Sequence, residues 1–179
     1  MTITLIPREG ATVGVWSGGT TTELALYPPD GSYAQRRFLF RISSADVQLE
    51  ESTFTPLPGV TRYITPLTGG FTLTHPDGSS VVMEPLDTPY RFDGGVPTVS
   101  RGRAADFNLM CKGCGGVMTL AEGTDLALPG FNYYMLPAGG EVTAGGFTYR
   151  LRPLDLLLIE TDRSVPVRTD KALVCRIDL

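Results

Sequence analysis

Very little of the usual catalytic equipment is present: 179 residues hold one histidine, His75, and three cysteines. Iron, manganese and zinc centres of imidazole type need several histidines with a carboxylate, so one imidazole excludes that ligand set. We therefore expect no metal and no cofactor. His75 alternates with Phe71 and Leu73 and precedes Pro76-Asp77-Gly78, which suits a structural residue at a strand end; a general base is the alternative. Cys111-Lys112-Gly113-Cys114 has CxxC spacing but no second such pair, and it straddles a strand end instead of opening a helix. Ordinary thiols are the expectation there, ahead of a zinc or redox role. Ser or Cys nucleophiles lack a base and an elbow. Gly18-Gly19-Thr20 is followed by no Lys and leads into a strand, so it is no phosphate loop.

What remains is the chemistry of anion recognition. Arg41 and Ser43 alternate opposite Phe38, Phe40 and Ile42. They point either to solvent or into a lumen. In a lumen the guanidinium needs a carboxylate for its planar fork, supplied by Glu23 or by a ligand. Asn108 shares a strand face with Asp106 and Met110, opposite Phe107, Leu109 and Cys111. That row suits a pocket wall, with an amide that both donates and accepts, and it equally suits a solvent face. Trp16, the one tryptophan, precedes Gly18-Gly19, where backbone can approach a ligand; it is a stacking wall or a core aromatic. Arg62 follows Pro58-Gly59-Val60-Thr61 and is either a second cation for a dianion or an arginine closing a turn.

The elements that must position these groups are strands. No segment sustains helical apolar spacing, whereas residues 2–6, 20–27, 37–44, 62–67, 71–75, 81–84, 105–111, 117–121, 133–136, 147–152, 154–160 and 172–179 read as extended. Twenty-one Gly and fourteen Pro punctuate them, a share well above the usual ~12%. Many short strands between such turns indicate a sandwich, jelly roll or barrel. Pro85-Leu86-Asp87 is echoed by Pro153-Leu154-Asp155, each copy preceded by Gly-Gly-Phe-Thr, read as a hairpin, at residues 69–72 and 145–148. The echo implies one unit used twice. A net charge of −4 without clustered cations argues against nucleic acid and membrane surfaces as partners. From an odd cysteine count, and no apolar run of signal or spanning length, we expect the chain in the cytoplasm.

Val15-Trp16-Ser17-Gly18-Gly19-Thr20-Thr21-Thr22-Glu23-Leu24 resembles the N-terminal signature of the HutD/Ves family, together with Phe40-Arg41-Ile42-Ser43-Ser44-Ala45, Phe54, Leu57-Pro58-Gly59-Val60 and Arg62. Asp106-Phe107-Asn108-Leu109-Met110 resembles its second signature. The resemblance implies an all-β bicupin, two fused cupin-like halves in one inseparable domain over residues 1–179. It also implies an association with histidine utilisation, no established catalysis, and a small-molecule pocket of regulatory role. Ser17 stands where many relatives carry Lys or Arg, so what the resemblance implies here is a pocket of different charge from theirs. The resulting expectation is a non-catalytic binder of a small anionic metabolite, a carboxylate such as formylglutamate, held by Trp16, Glu23, Arg41, Ser43, Arg62, Asn108 and Met110. The alternative is a metal-independent isomerase or lyase using His75, Glu23, Tyr63 or Tyr134 as acid or base. A homodimer through an exposed edge strand is a third expectation.

Overall fold

Period-two alternation governs the chain, and the computed structural model, which describes all 179 residues, has seventeen strands and one 3-10 turn, Arg8–Gly10. No helix is long and apolar enough to cross a membrane. The chain divides into two compact units, residues 12–113 and residues 1–11 with 114–179.

The first strand, β1 (Thr2–Ile6), belongs to the unit that resumes at Cys114. Residues 12–113 carry β2 (Thr12–Trp16), β3 (Gly19–Tyr27), β4 (Phe40–Val47), β5 (Glu51–Thr53), β6 (Thr61–Gly69), β7 (Phe71–Thr74), β8 (Ser80–Met83), β9 (Tyr90–Asp93), β10 (Val99–Arg101) and β11 (Ala104–Cys111). They form a six-stranded sheet, β2-β3-β4-β11-β6-β9, and a four-stranded one, β5-β10-β7-β8. In the central strands β4 and β11, Phe40, Ile42, Phe107 and Leu109 are fully buried on one face. The opposite face, with Arg41, Ser43, Asp106, Asn108 and Met110, is buried too. Both faces are therefore withdrawn from water, and polar side chains on the second must find partners there.

The second unit adds β12 (Gly115–Ala127), β13 (Gly130–Met135), β14 (Gly140–Ala144), β15 (Phe147–Leu151), β16 (Leu156–Thr161) and β17 (Val165–Asp178). Its sheet runs β1-β16-β13-β17-β14-β15, with β12 also paired to β17. Tyr134, Leu136, Val142, Leu157, Ile159 and Val174, all fully buried, pack in one apolar cluster. Burying each such side chain is worth about 1.5–3 kcal/mol, so this interior is a core. A cavity of about 680 Å³ lies instead within residues 12–113.

The Pro-Leu-Asp echo is one turn built twice. Asp87 N–H donates to the Glu84 carbonyl at 3.1 Å, and Asp155 N–H to that of Arg152 at 3.0 Å. Leu86 and Leu154 sit at φ 62° and 69°, the left-handed third position of a type II turn after Pro. Each Asp carboxylate then accepts the N–H that opens the turn, from Glu84 at 2.8 Å and from Arg152 at 2.9 Å. The Gly-Gly hairpin holds only in the second copy, where β14 pairs with β15. Gly69 instead marks a step between sheets: β6 pairs with β11 and β9, β7 with β10 and β8. A Cβ on Gly69, at φ 67°, would stand 2.4 Å from the Arg103 carbonyl oxygen, which is why glycine fits there.

Strand bounds differ from expectation where pairing overrides composition. Residues 37–39 lie outside β4: Arg37 bridges Ser32, and Phe38 packs with Met110, Leu57 and Val60, away from the Phe40 and Ile42 face. β2, β5, β9, β10 and β14 are three to five residues each and were not recognised in the sequence. β12 and β17 extend well past the residues 117–121 and 172–179 read as extended, because each continues pairing with the other across a bulge between Ala121 and Gly123.

Candidate functional site

Register brings the polar residues into rows. Thr12, Glu23, Ser43 and Asn108 are successive partners across β2, β3, β4 and β11. In the neighbouring row Met110 stands between Arg41 of β4 and Arg62 of β6. A bulge between Glu23 and Ala25 sets Glu23 opposite Ser43 while Leu26 pairs with Arg41. Directly paired residues share a face, and these rows wall a cavity of about 680 Å³. Trp16, Glu23, Arg41, Ser43, Arg62, Asn108 and Met110 all line it. Its volume is in the range of small-molecule sites.

The two guanidinium groups are held differently. Arg41 donates from Nε to Glu23 Oε2 at 2.7 Å, and its Cζ lies 4.1 Å from the Tyr33 ring centroid. Arg62 makes no ion pair. It donates from one terminal nitrogen to Asn108 Oδ1 at 3.1 Å, and its Cζ stands 4.5 Å from the Phe54 ring and 5.2 Å from Phe92. Its Nε is buried without a hydrogen-bond partner. Burial pulls Arg62 down to about 10, with Arg41 adding to the fall and Tyr33 and Asp106 opposing it.

Asn108 donates from its amide nitrogen to Asp106 Oδ1. A guanidinium can only donate, so the amide oxygen must face Arg62 and the nitrogen must face Asp106. Burial pushes Asp106 up to about 7, against the pull of Arg62, the Ala45 N–H and Asn108. In the sequence Asp106 is only Asn108's neighbour on the strand face, and nothing local marks it as a site residue; its burial depends on the sheet on either side. Tyr33 and Phe54 were missed because they come from outside the long strands. The only hint for Phe54 was its place in the N-terminal signature, and for Tyr33 its position after the Pro29-Asp30-Gly31 turn.

Other candidates lie elsewhere. His75 Nδ1 is hydrogen-bonded with Thr98 Oγ1 at 3.1 Å and Nε2 with the Tyr90 hydroxyl at 3.0 Å. Both ring nitrogens are thus engaged by the protein, outside this cavity. Tyr63, next to Arg62 in β6 and paired with Leu109 on the opposite face, does not line it. Tyr134 donates to Asp125 at 2.8 Å in the other unit, where Arg176 also binds that carboxylate, and burial pushes the phenol upward. No disulfide links Cys111, Cys114 and Cys175.

A family model described as HutD matches residues 11–175. HutD from Pseudomonas fluorescens superposes with a TM-score of 0.82 at 22% identity, covering 99% of this chain and 98% of that one. A conserved protein of unknown function from Pseudomonas aeruginosa gives 0.82 at 21%, with the same coverage of 99% and 98%. The bacterial pirin YhhW of Escherichia coli, solved with nickel(II), gives 0.64 at 11% over 99% of both chains. Likenesses at such identity establish the fold, an all-β bicupin. Comparison with curated protein sequences gives no match.

Proposed function

The chain belongs to the HutD family, and on that premise we propose that it is a cytoplasmic, non-catalytic binder of a carboxylate metabolite, regulatory in histidine utilisation, with formylglutamate-like acids as ligands. The observation that carries this reading is Arg62: a buried cation at the cavity wall, without an ion pair and with an unbonded Nε. An unsatisfied buried donor costs on the order of 1–3 kcal/mol, and an anion accepting that N–H would offset it. Arg41 is already neutralised by Glu23, so Arg62 is the anchor and Arg41 with Ser43 shapes the wall beside it.

Titration calorimetry with N-formyl-L-glutamate and the other carboxylate intermediates of histidine degradation tests the reading. Saturable binding, weakened at least tenfold in Arg62→Gln, is the expected result. No heat with any of them at millimolar concentration would overturn it.

One observation favours the second reading, a metal-independent enzyme. Glu23 is not the sole carboxyl in the cavity, since Asp106 joins it and is pushed up to about 7, a value suited to general acid–base work. His75, Tyr63 and Tyr134 stand outside the cavity and Glu23 is ion-paired to Arg41, so Asp106 would carry that role. Exchange of a ligand C–H for deuterium in D2O, lost in Asp106→Asn, would establish this reading in place of the first.

A further inference from the structure

Asp106 is an acid buried on every side. Its own strand presents Asn108; β4 presents the Ala45 N–H, Ser43 and Arg41; β6 presents Arg62 and Pro66; β3 contributes Glu23 beyond β4, and Tyr33 stands near Arg62. The amide of Asn108 intervenes between its carboxylate and the nearest cation. Glu23 is the contrast: it is bonded directly to Arg41 and its side chain remains a quarter exposed. Two carboxylates in one cavity are thus supported unequally.

We propose that a carboxylate entering this cavity is taken up together with a proton, and that Asp106 receives it; the inference rests on reading the cavity as a carboxylate site. The electrostatics are those of two acids sharing one cation. Arg62 is the only cation that helps Asp106 to ionise, and it is the cation the ligand would engage. A ligand carboxylate at Arg62 neutralises that help and adds a like charge, so the buried Asp106 gives way by binding a proton. Glu23, with its own guanidinium partner, does not. The balance is one ligand carboxylate plus ionised Asp106 plus one solvent proton, giving the complex with neutral Asp106. No bond other than the O–H of Asp106 forms.

Asp106 lies near 7 in the free protein. Uptake then amounts to roughly half a proton per ligand at pH 7 and approaches one at pH 8, and affinity falls towards tenfold per pH unit above 7. The experiment is calorimetry of N-formyl-L-glutamate binding to the full chain at pH 6, 7 and 8, in HEPES and in Tris at the two higher values. The slope of observed heat against buffer ionisation heat gives the proton number. The expected result is a number rising from pH 7 to pH 8, and in Asp106→Asn a number near zero with an affinity independent of pH. Wild-type binding with no proton uptake at pH 8 overturns this inference alone, as does uptake that survives in Asp106→Asn. No binding at any pH overturns the underlying reading with it. Should Asp106→Asn fail to fold, a carbon-13 titration of the wild-type carboxyl groups decides instead: one resonance near 7 in the free protein, moving above about 9 with ligand, supports the proposal, and its absence overturns it.

Discussion

Arg62 and Asp106 share a cavity wall without touching: the guanidinium donates to Asn108 Oδ1 at 3.1 Å, and the same amide donates to the carboxylate. The amide is therefore the only hydrogen-bonded link between two buried charges. Replacing it with an isosteric apolar group, Asn108→Leu, strips one bond from each. A hydrogen bond to a charged group is worth about 1.5–3 kcal/mol, and chemical denaturation of the variant should show a loss on that scale. Asn108→Asp, which keeps an acceptor for Arg62 but sets a second acid beside Asp106, should drive Asp106 higher still and restore only part of the loss.

Asp106 also makes stability depend on pH. Its folded pKa, about 7, lies above the ordinary value of 3.8. A group so raised contributes stability that is fully present below its unfolded pKa and lost as pH rises through its folded one. Between pH 4 and 7 the wild type should therefore lose stability relative to Asp106→Asn, by a few kcal/mol in total. The difference levels off above 7. Urea midpoints of both proteins at unit pH steps read it directly, and parallel curves would contradict the assignment.

The repeated turn predicts an asymmetry between its two acids. Asp155 is 2% exposed and accepts backbone N–H groups from both Arg8, at 2.9 Å, and Arg152. Burial alone would raise its pKa, but these donors and the Arg152 guanidinium outweigh burial and hold it below the ordinary range. Asp87 is exposed and accepts one such bond, from Glu84. Asp155→Ala should cost about 1–3 kcal/mol by orphaning those donors, and Asp87→Ala clearly less. The Asp155 contribution is present above pH 4 and lost as pH falls through its depressed pKa, so the two variants should converge in acid.

Local chemistry explains what the sequence made legible. The Pro-Leu-Asp turn is closed by residues three apart, so its echo could be read without knowing the fold. Alternation likewise put Arg41 with Ser43 and Asp106 with Asn108 and Met110. What alternation cannot state is which face closes over a cavity. On its own strand Asp106 is one member of a polar row, and its burial comes only with the folded sheet that flanks β11 with β4 and β6. Phe38 continued the Phe40 and Ile42 pattern on paper, yet the strand starts at Phe40 and Phe38 packs with Met110. Gly69-Gly70 resembled a hairpin because a Gly pair fixes the backbone bend and says nothing about which strands pair afterwards.

Trp16 offers the most direct reading of occupancy. It is the one tryptophan, it lines the cavity, and it is 39% exposed. Its indole lies against Gly18: a Cβ there would come within 1.9 Å of the ring. Gly18 has no positive φ to require glycine, so the constraint is the ring itself, and Gly18→Ala must push the indole off its seat. A ligand filling the cavity displaces water from the exposed edge of the ring, which should shift its emission to the blue as N-formyl-L-glutamate is titrated. Gly18→Ala should alter the emission of the free protein while leaving Arg62 and Asn108 in place, and weaken binding severalfold if the indole closes over the ligand. An unchanged affinity would assign Trp16 to the wall of the cavity and not to its closure.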